Sequence, residues 1–479
     1  MKTTVITLML GWCLVGMSNT QTNLVNLSDT ASGLPSGWQT ALDQAPRKGR
    51  VWIGYEIEVP VLAGSFHFSS WSINSGTLVT RGISMDRRLA GETTPQRLIL
   101  VDEAPRRPFA SLSSVRIPMR LAMMFQVRAH PKPRITAVRA VDMRLPFQND
   151  GQKIYWLGRQ SVGQSWQHLR KHYAPSSPTV QRRMLVQMGF HDTADTFKFL
   201  AGIAKQHENS ETRREAVEAL ARMSHPQVVS LISDLARVDD IRRVRTEALE
   251  ALAYVGTHEA MKALFTFRDD PVGEIREEVL SALADFDHQQ ARDTVYHLFR
   301  KDTDEDVVEE ALEIIAEEFL DHELVVRVAL GREPSPARRD AIELLELLEP
   351  EEAAEHLQTI LKGKESTPVR RTAVEVLGDL PQEISQPQLF KIAERDTDEE
   401  VRLQAVESLG NHSGTAVVSH LRRLALRGRG QIAEEAVEAL GEIEERSATD
   451  ALIEIAEKHP SGEIRDEALD QLSERVFSR

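Results

Sequence analysis

Cysteine is almost missing from this 479-residue chain, which carries only Cys13. A lone thiol forms no internal disulfide and supplies no thiolate cluster for zinc or iron–sulfur. Aromatic residues are scarce at 5%, and none of the six Trp lies beyond Trp166. Past the N-terminal stretch, no apolar run approaches the roughly twenty residues that a bilayer span needs. A phosphate-binding glycine loop, His-Glu-x-x-His and Gly-x-Ser-x-Gly are all missing, and no spacing of Ser, His and Asp marks a triad. The catalytic constellations that local spacing can reveal are therefore not here.

The N-terminal residues have the build of a secretory signal: Lys2, an apolar run from Val5 to Met17, then Ser18-Asn19-Thr20. A run of about thirteen apolar residues suits a signal h-region better than a span. Cleavage after Ser18 would remove Cys13 and leave a mature chain free of cysteine. Trp12 directly before Cys13 departs from the small-residue-then-Cys pattern of a lipoprotein. The expectation is an exported protein, periplasmic or extracellular, of a bacterial envelope.

Charge is divided unevenly. Residues 19–150 hold 16 Lys+Arg against 10 Asp+Glu, while residues 151–479 hold 41 against 63, a net of +6 and then −22. An array this acidic repels phosphate backbones, which excludes nucleic acid as its partner.

Residues 50–147 carry short strand-like segments broken by Pro105, Pro108, Pro118, Pro131 and Pro133. Val51–Val59, Arg97–Val101, Met119–Val127 and Ile135–Leu145 are the strand candidates, which suggests a small all-β sandwich or curled sheet. The stretch from Asn23 to Gly37 has little pattern and reads as extended or loose. Trp38, Trp52, Tyr55, Phe66, Phe68 and Trp71 read first as core; an exposed subset would bind a glycan or peptide. The domain expectation is a signal over 1–18, a β-rich domain over 19–150 and a helical array over 151–479.

What fills the array is a register. Met184, Ala216, Ala248, Val279, Ala311, Ala341, Ala373, Ala405, Ala436 and Ala468 are spaced 30 to 32 residues apart. A period held over this many copies means a stack of supersecondary units, each too thin to bury its own apolar face. Val401, Ala405 and Leu409 line one helix face, which Gly410-Asn411 stops. Val417, Val418, Leu421, Leu424 and Ala425 line a second helix. The stretch Ile154–Gly158 matches the end of a first helix and predicts a truncated opening unit. The closing copy, from Glu463 on, has little beyond its first helix.

Val369–Gly378 (VRRTAVEVLG) and Val401–Gly410 (VRLQAVESLG) resemble HEAT repeats, in the short-period subtype first seen in phycobilisome lyases. That resemblance implies an armadillo-like α-solenoid whose second helices line a concave protein-binding face. The family's recurring Arg falls at Arg213, Arg245, Arg276, Arg338, Arg370, Arg402 and Arg465, with Val308 and Ala433 as exceptions. Asp239, Asp270, Asp302 and Asp396 lie six residues before the same register position. This pattern predicts a ladder of Arg–Asp pairs between neighbouring units.

Deoxyhypusine hydroxylases of this repeat type place His-Glu pairs just before the recurring Ala to hold a di-iron centre. The matching places here are Arg214-Glu215, Thr246-Glu247, Glu277-Glu278, Arg371-Thr372, Leu403-Gln404 and Asp466-Glu467, without His. His207-Glu208, His258-Glu259 and His322-Glu323 fall outside that register. Asp302, Asp304 and Asp306 imitate a calcium loop, but Val307 stands where the sharp turn needs Gly, so helix capping is the better reading. No cofactor or metal is expected.

Two charge features are candidate partner contacts. One is the acidic run containing Glu310, Glu313 and Glu317, either a solvated face or a docking surface for a basic segment. The other is the cluster Arg422, Arg423, Arg427 and Arg429, a possible contact for an acidic partner. The expectation is a non-catalytic scaffold or adaptor that binds protein partners. A lyase- or hydroxylase-like enzyme of the same repeat superfamily and a self-assembling envelope component are the alternatives.

Overall fold

A computed structural model describes residues 23–29, 33–62, 78–84, 96–100, 116–147, 149–284 and 286–477. The signal-like segment, Phe66, Phe68 and Trp71 lie outside them. The chain divides into two compact units, Met1–Leu264 and Phe265–Arg479. Each is taken by itself.

The first unit opens on a five-stranded mixed sheet in the order β1-β8-β2-β5-β6. Its strands are β1 (Leu24–Asn26), β2 (Val51–Leu62), β5 (Arg116–Arg128), β6 (Arg134–Asp142) and β8 (Ile154–Arg159). A smaller sheet joins β3 (Leu78–Ser84), β4 (Gln96–Leu100) and β7 (Pro146–Phe147). β2 and β5 pair antiparallel over their length, from Val51 opposite Val127 to Leu62 opposite Arg116. β8 runs parallel to both β1 and β2.

One expectation fails here and another holds only in part. Ile154–Gly158 is no helix end. It lies within β8, inserted between β1 and β2, with Ile154, Tyr155, Trp156 and Leu157 all buried. A run of apolar and aromatic residues suits a strand covered on both faces, and the short Tyr-Trp-Leu-Gly match to a helix end is outweighed by it. Of the region from Asn23 to Gly37, the described residues are extended at β1, as one of the two readings had it, but they also supply the start of helix α1 (Leu34–Gln44), with Pro35 in the first turn.

Both faces of the sheet are covered. Trp52, Met124, Met143, Phe147, Ile154 and Trp156 form one apolar cluster. On the other face Trp38 of α1 meets the Phe125 ring edge-on at 5.4 Å. Helix α2 (Val162–Tyr173) also docks there through a buried chain of hydrogen bonds. Tyr55 Oη lies 2.9 Å from Ser165 Oγ, which lies 2.7 Å from His191 Nε2. His191 Nδ1 is 3.1 Å from the Gln187 carbonyl. Burial pushes the His191 imidazole down to about 4 and raises the Tyr55 phenol.

Helices then alternate. In the first unit the first helices of the repeats are α3 (Pro178–Met188), α5 (Ser210–Ala221) and α7 (Arg242–Val255). The second helices are α4 (Ala194–Gln206), α6 (Val228–Val238) and α8 (His258–Phe265).

In the second unit the first helices are α9 (Gly273–Ala284), α11 (Glu305–Glu317), α13 (Arg338–Glu343), α15 (Thr367–Asp379), α17 (Glu399–Gly410), α19 (Gln431–Glu442) and α21 (Gly462–Phe477). The second helices are α10 (Gln289–Lys301), α12 (His322–Ala329), α14 (Pro350–Lys362), α16 (Gln382–Arg395), α18 (Thr415–Arg427) and α20 (Arg446–Lys458). All ten register residues sit on first helices and are fully buried. The fold is a helical solenoid preceded by a mixed sheet.

Candidate functional site

Within each unit the two kinds of helix pack differently. First helices touch the next first helix more extensively than second helices touch each other. Small residues permit this. A Cβ added at Gly378 would stand 2.6 Å from Ser408 Cβ, and one at Gly410 would stand 3.2 Å from Ala439 Cα. In the first unit a Cβ at Gly189 would lie 2.6 Å from the Ala219 carbonyl oxygen. Each of these glycines is five residues past its register position and meets the residue three past the next one. The tighter edge is therefore the first-helix edge.

The recurring Arg side chains fasten this edge. Arg213 donates to both carboxylate oxygens of Asp239, through Nε at 2.9 Å and Nη2 at 2.8 Å. Arg276 does the same to Asp302 at 2.7 and 2.8 Å. Arg370 pairs with Asp396, and Arg338 with Glu365 at 2.9 Å. The Asp belongs to the start of the following repeat, and its carboxylate also opens the next first helix. Asp239 accepts from Ile241 N–H, Asp302 from Asp304 N–H and Asp396 from Asp398 N–H.

Burial raises the Asp302 carboxyl, but Arg276 and the backbone N–H groups outweigh it and hold it below its ordinary value. The Arg213 and Asp239 side chains are only 9% and 6% exposed, so each is a costly charge without the other.

Arg402 has no such acid: the residue 26 further on is Gly428, and Arg402 donates instead to the Asp396 carbonyl at 2.9 Å. Arg465 likewise donates to the His459 carbonyl at 2.6 Å. Arg245 donates to the Ala236 carbonyl at 2.8 Å, as Arg338, beside its ion pair, does to the Ala329 carbonyl at 3.2 Å. Val308 and Ala433 are fully buried apolar contacts where other repeats carry Arg.

The first helices also bear the candidate surface. Glu310, Glu313 and Glu317 come together on α11, and Ser281 donates to Glu310 at 2.5 Å. Burial, then Glu310, Glu317 and Asp340, push the Glu313 carboxyl up. The same repulsion continues across repeats. Glu343 is raised by burial and by Asp340 and Glu375. Glu435 is pushed up to about 7 by burial, Glu438 and Glu407. Glu438 is raised by burial, Glu467, Glu434 and Glu407.

In the first unit Glu247 is pushed up to about 7 by burial and by Glu250, against the pull of Arg214 at 2.7 Å. Each unit thus carries a ridge of carboxylates along its first helices, where mutual repulsion persists even beside Arg214 and Arg222 of the first unit. Most of its members escaped the sequence reading, which saw only the dense run around Glu310. The signal was the Ala register itself. The place two residues past it reads Val186, then Glu218, Glu250, Ser281, Glu313, Glu343, Glu375, Glu407, Glu438 and Asp470.

The basic candidates fare differently. Arg422 is engaged by Glu454 and Arg423 by Glu394, each at 2.5 Å, between successive second helices. Arg423 also reaches His420 Nδ1 at 2.7 Å, and the His420 ring stacks on Phe390 at 4.2 Å. Two of the four arginines therefore stitch α16, α18 and α20 together. Arg427 and Arg429 stand exposed at the end of α18.

The Ser165–His191 pair is fully buried and spent on joining the sheet to the helices. No three His, Cys, Asp or Glu side chains converge as metal ligands among the described residues. No helix among them is long and apolar enough to cross a membrane.

These alternating helices with a small-residue edge are those of a repeat solenoid, and the family follows. Residues 167–253, 242–316, 323–409 and 386–473 match the family model described as HEAT repeats. The matches span more than half of the chain, and the protein belongs to this family. A search of curated proteins finds no match.

Among solved structures, human deoxyhypusine hydroxylase with glycerol is 22% identical over 59% of this chain and 96% of its own, with a TM-score of 0.24. An engineered protein is 17% identical over 65% and 98%, with a TM-score of 0.27. Kap95p, studied with RanGDP, is 13% identical over 66% and 53%, with a TM-score of 0.40.

Proposed function

We propose that this chain is an exported, non-catalytic scaffold that binds protein partners through its repeat surface, in the short-period subtype of the HEAT family. The carboxylate ridge carries the reading. Groups whose mutual repulsion raises their pKa gain most when a cation arrives. A partner segment rich in Lys or Arg would supply that charge along successive first helices. Many modest contacts spread over repeats suit a solenoid better than one deep site. The signal-like segment from Lys2 to Ser18 and the lone cysteine within it support export, to a bacterial periplasm or beyond.

The test uses the full chain and a synthetic Lys/Arg-rich peptide in titration calorimetry. Binding near pH 7 should release protons, because Glu247 and Glu435 sit near half-protonation there. It should weaken with salt and fall when Glu407, Glu435 and Glu438 are all changed to Gln. Absence of binding at low salt, or equal binding by that triple variant, would overturn the reading.

A further inference from the structure

A second surface differs from the acidic ridge in every chemical respect. It lies in the first unit, between α2 and α4. Phe199 projects from α4 and is met by three side chains of α2. The Trp166 ring lies 5.7 Å away and the Tyr173 ring 5.3 Å away, both edge-on. The Arg170 guanidinium lies over the Phe199 face at 4.2 Å. Beside this cluster is a depression of about 380 Å³, open to solvent, lined by Lys198, Phe199, Gly202, Ile203, Gln206 and His207. Gly202 leaves its floor empty: a Cβ there would meet nothing within 4 Å.

The charge here is positive and unspent. Arg170, Lys171, Lys198 and Lys205 are all exposed, and none forms an ion pair among the described residues. Asp195 and Glu208 are the carboxylates nearest in sequence on this stretch. The Tyr173 ring is 8% exposed and its hydroxyl has no hydrogen-bond partner among the described residues. Half-buried aromatics with an arginine stacked among them have the composition of an interface anchor. A one-sided depression holds a single projecting side chain well and encloses a free small molecule poorly.

We propose that the depression on α4, beside the Phe199 cluster with α2, docks a partner segment that inserts one bulky apolar side chain over Gly202 and sets flanking carboxylates against Arg170 and Lys198. The proposal rests on the protein-binding reading but uses a different surface and the opposite charge. It gives the scaffold a second site, so that an acidic segment and a basic one would bind independently.

The experiment presents two sets of synthetic 12-residue peptides to the full chain. Each has a central Phe or Trp, flanked by Asp and Glu in one set and by Lys and Arg in the other. Fluorescence anisotropy reads binding to the wild type, Gly202→Leu and Arg170→Glu, with thermal melts to show that both variants fold. Gly202→Leu fills the depression and removes no contact, so it probes the space itself.

The expected result is that acidic-flanked peptides bind the wild type and lose about tenfold or more in Kd in both variants. Equal binding by the variants would overturn the groove, and so would no binding of the acidic set. Light scattering that shows a dimer lost in Gly202→Leu would overturn it in favour of a second copy as occupant. Binding of the basic set with no binding of the acidic set would leave the ridge reading standing while the groove fails.

Discussion

Within either unit, first and second helices solve the same packing problem with different residues. First helices bury Ala, Val and Leu and let Gly and Ala bring backbones close, as Gly378 does against Ser408. Second helices stand further apart and reach across with large or charged side chains: Phe199 to Trp166, Phe390 to His420, Arg423 to Glu394. The close edge buries its clamps, Arg213 on Asp239 and Arg276 on Asp302, and its remaining carboxylates are pushed outward into a ridge. The wider edge has room for pairs and stacks, and it leaves a groove where they are incomplete. Spacing therefore decides where each charge can go.

Cutting a clamp tests the close edge hardest. Arg276→Ala leaves Asp302 buried without its cation and should cost about 3–5 kcal/mol. Arg402→Ala, which abandons only a carbonyl, should cost about 1 kcal/mol. Denaturant melts of the two variants read the difference, and equal losses would remove the Arg–Asp ladder from the account.

Adding volume comes next. Gly378→Leu forces the α15–α17 contact apart and should cost about 1–3 kcal/mol. Gly202→Leu on the wider edge meets open space and should be neutral or gain up to about 1 kcal/mol from helix propensity. Similar melting curves for both would mean that the edges are not packed differently.

The smallest effect is electrostatic. The folded Glu435 carboxyl, pushed up to about 7, holds a proton that the unfolded chain has already released above its ordinary range. Stability therefore falls as pH rises through that window. Glu435→Gln should raise the Tm at pH 8, and the gain should fade toward pH 5 as the wild-type carboxyl regains its proton. A gain that does not change with pH would show that repulsion is not its source.

The array was legible because a fixed period repeats one local message: ten register residues name ten first helices, and all ten are there. The Asp positions near 239, 302 and 396 stood out for the same reason. The sheet has no period to average over. A single segment such as Ile154–Gly158 must be judged on its own, and its chance match to a helix end hid a central strand. Leu34–Gln44 was missed because its helix signal is a short Pro-led start in a run poor in charge. The groove on α2 and α4 was out of reach, since Trp166 and Phe199 lie 33 residues apart and meet only through the stacking of helices.

The double duty of the clamp aspartates has a consequence for how motion spreads. When the first turn of α11 frays, Asp302 loses its geometry, and Arg276 in the repeat behind loses its partner with it. Opening is thereby passed backward, like a zip, across each boundary that carries such a clamp. At Gly428 the zip has a missing tooth. Arg402 holds only its own repeat, and α19 can loosen at its start without pulling on α17. The last two repeats are held to the rest by close packing instead, as where Gly410 meets Ala439, and by Arg422 on Glu454.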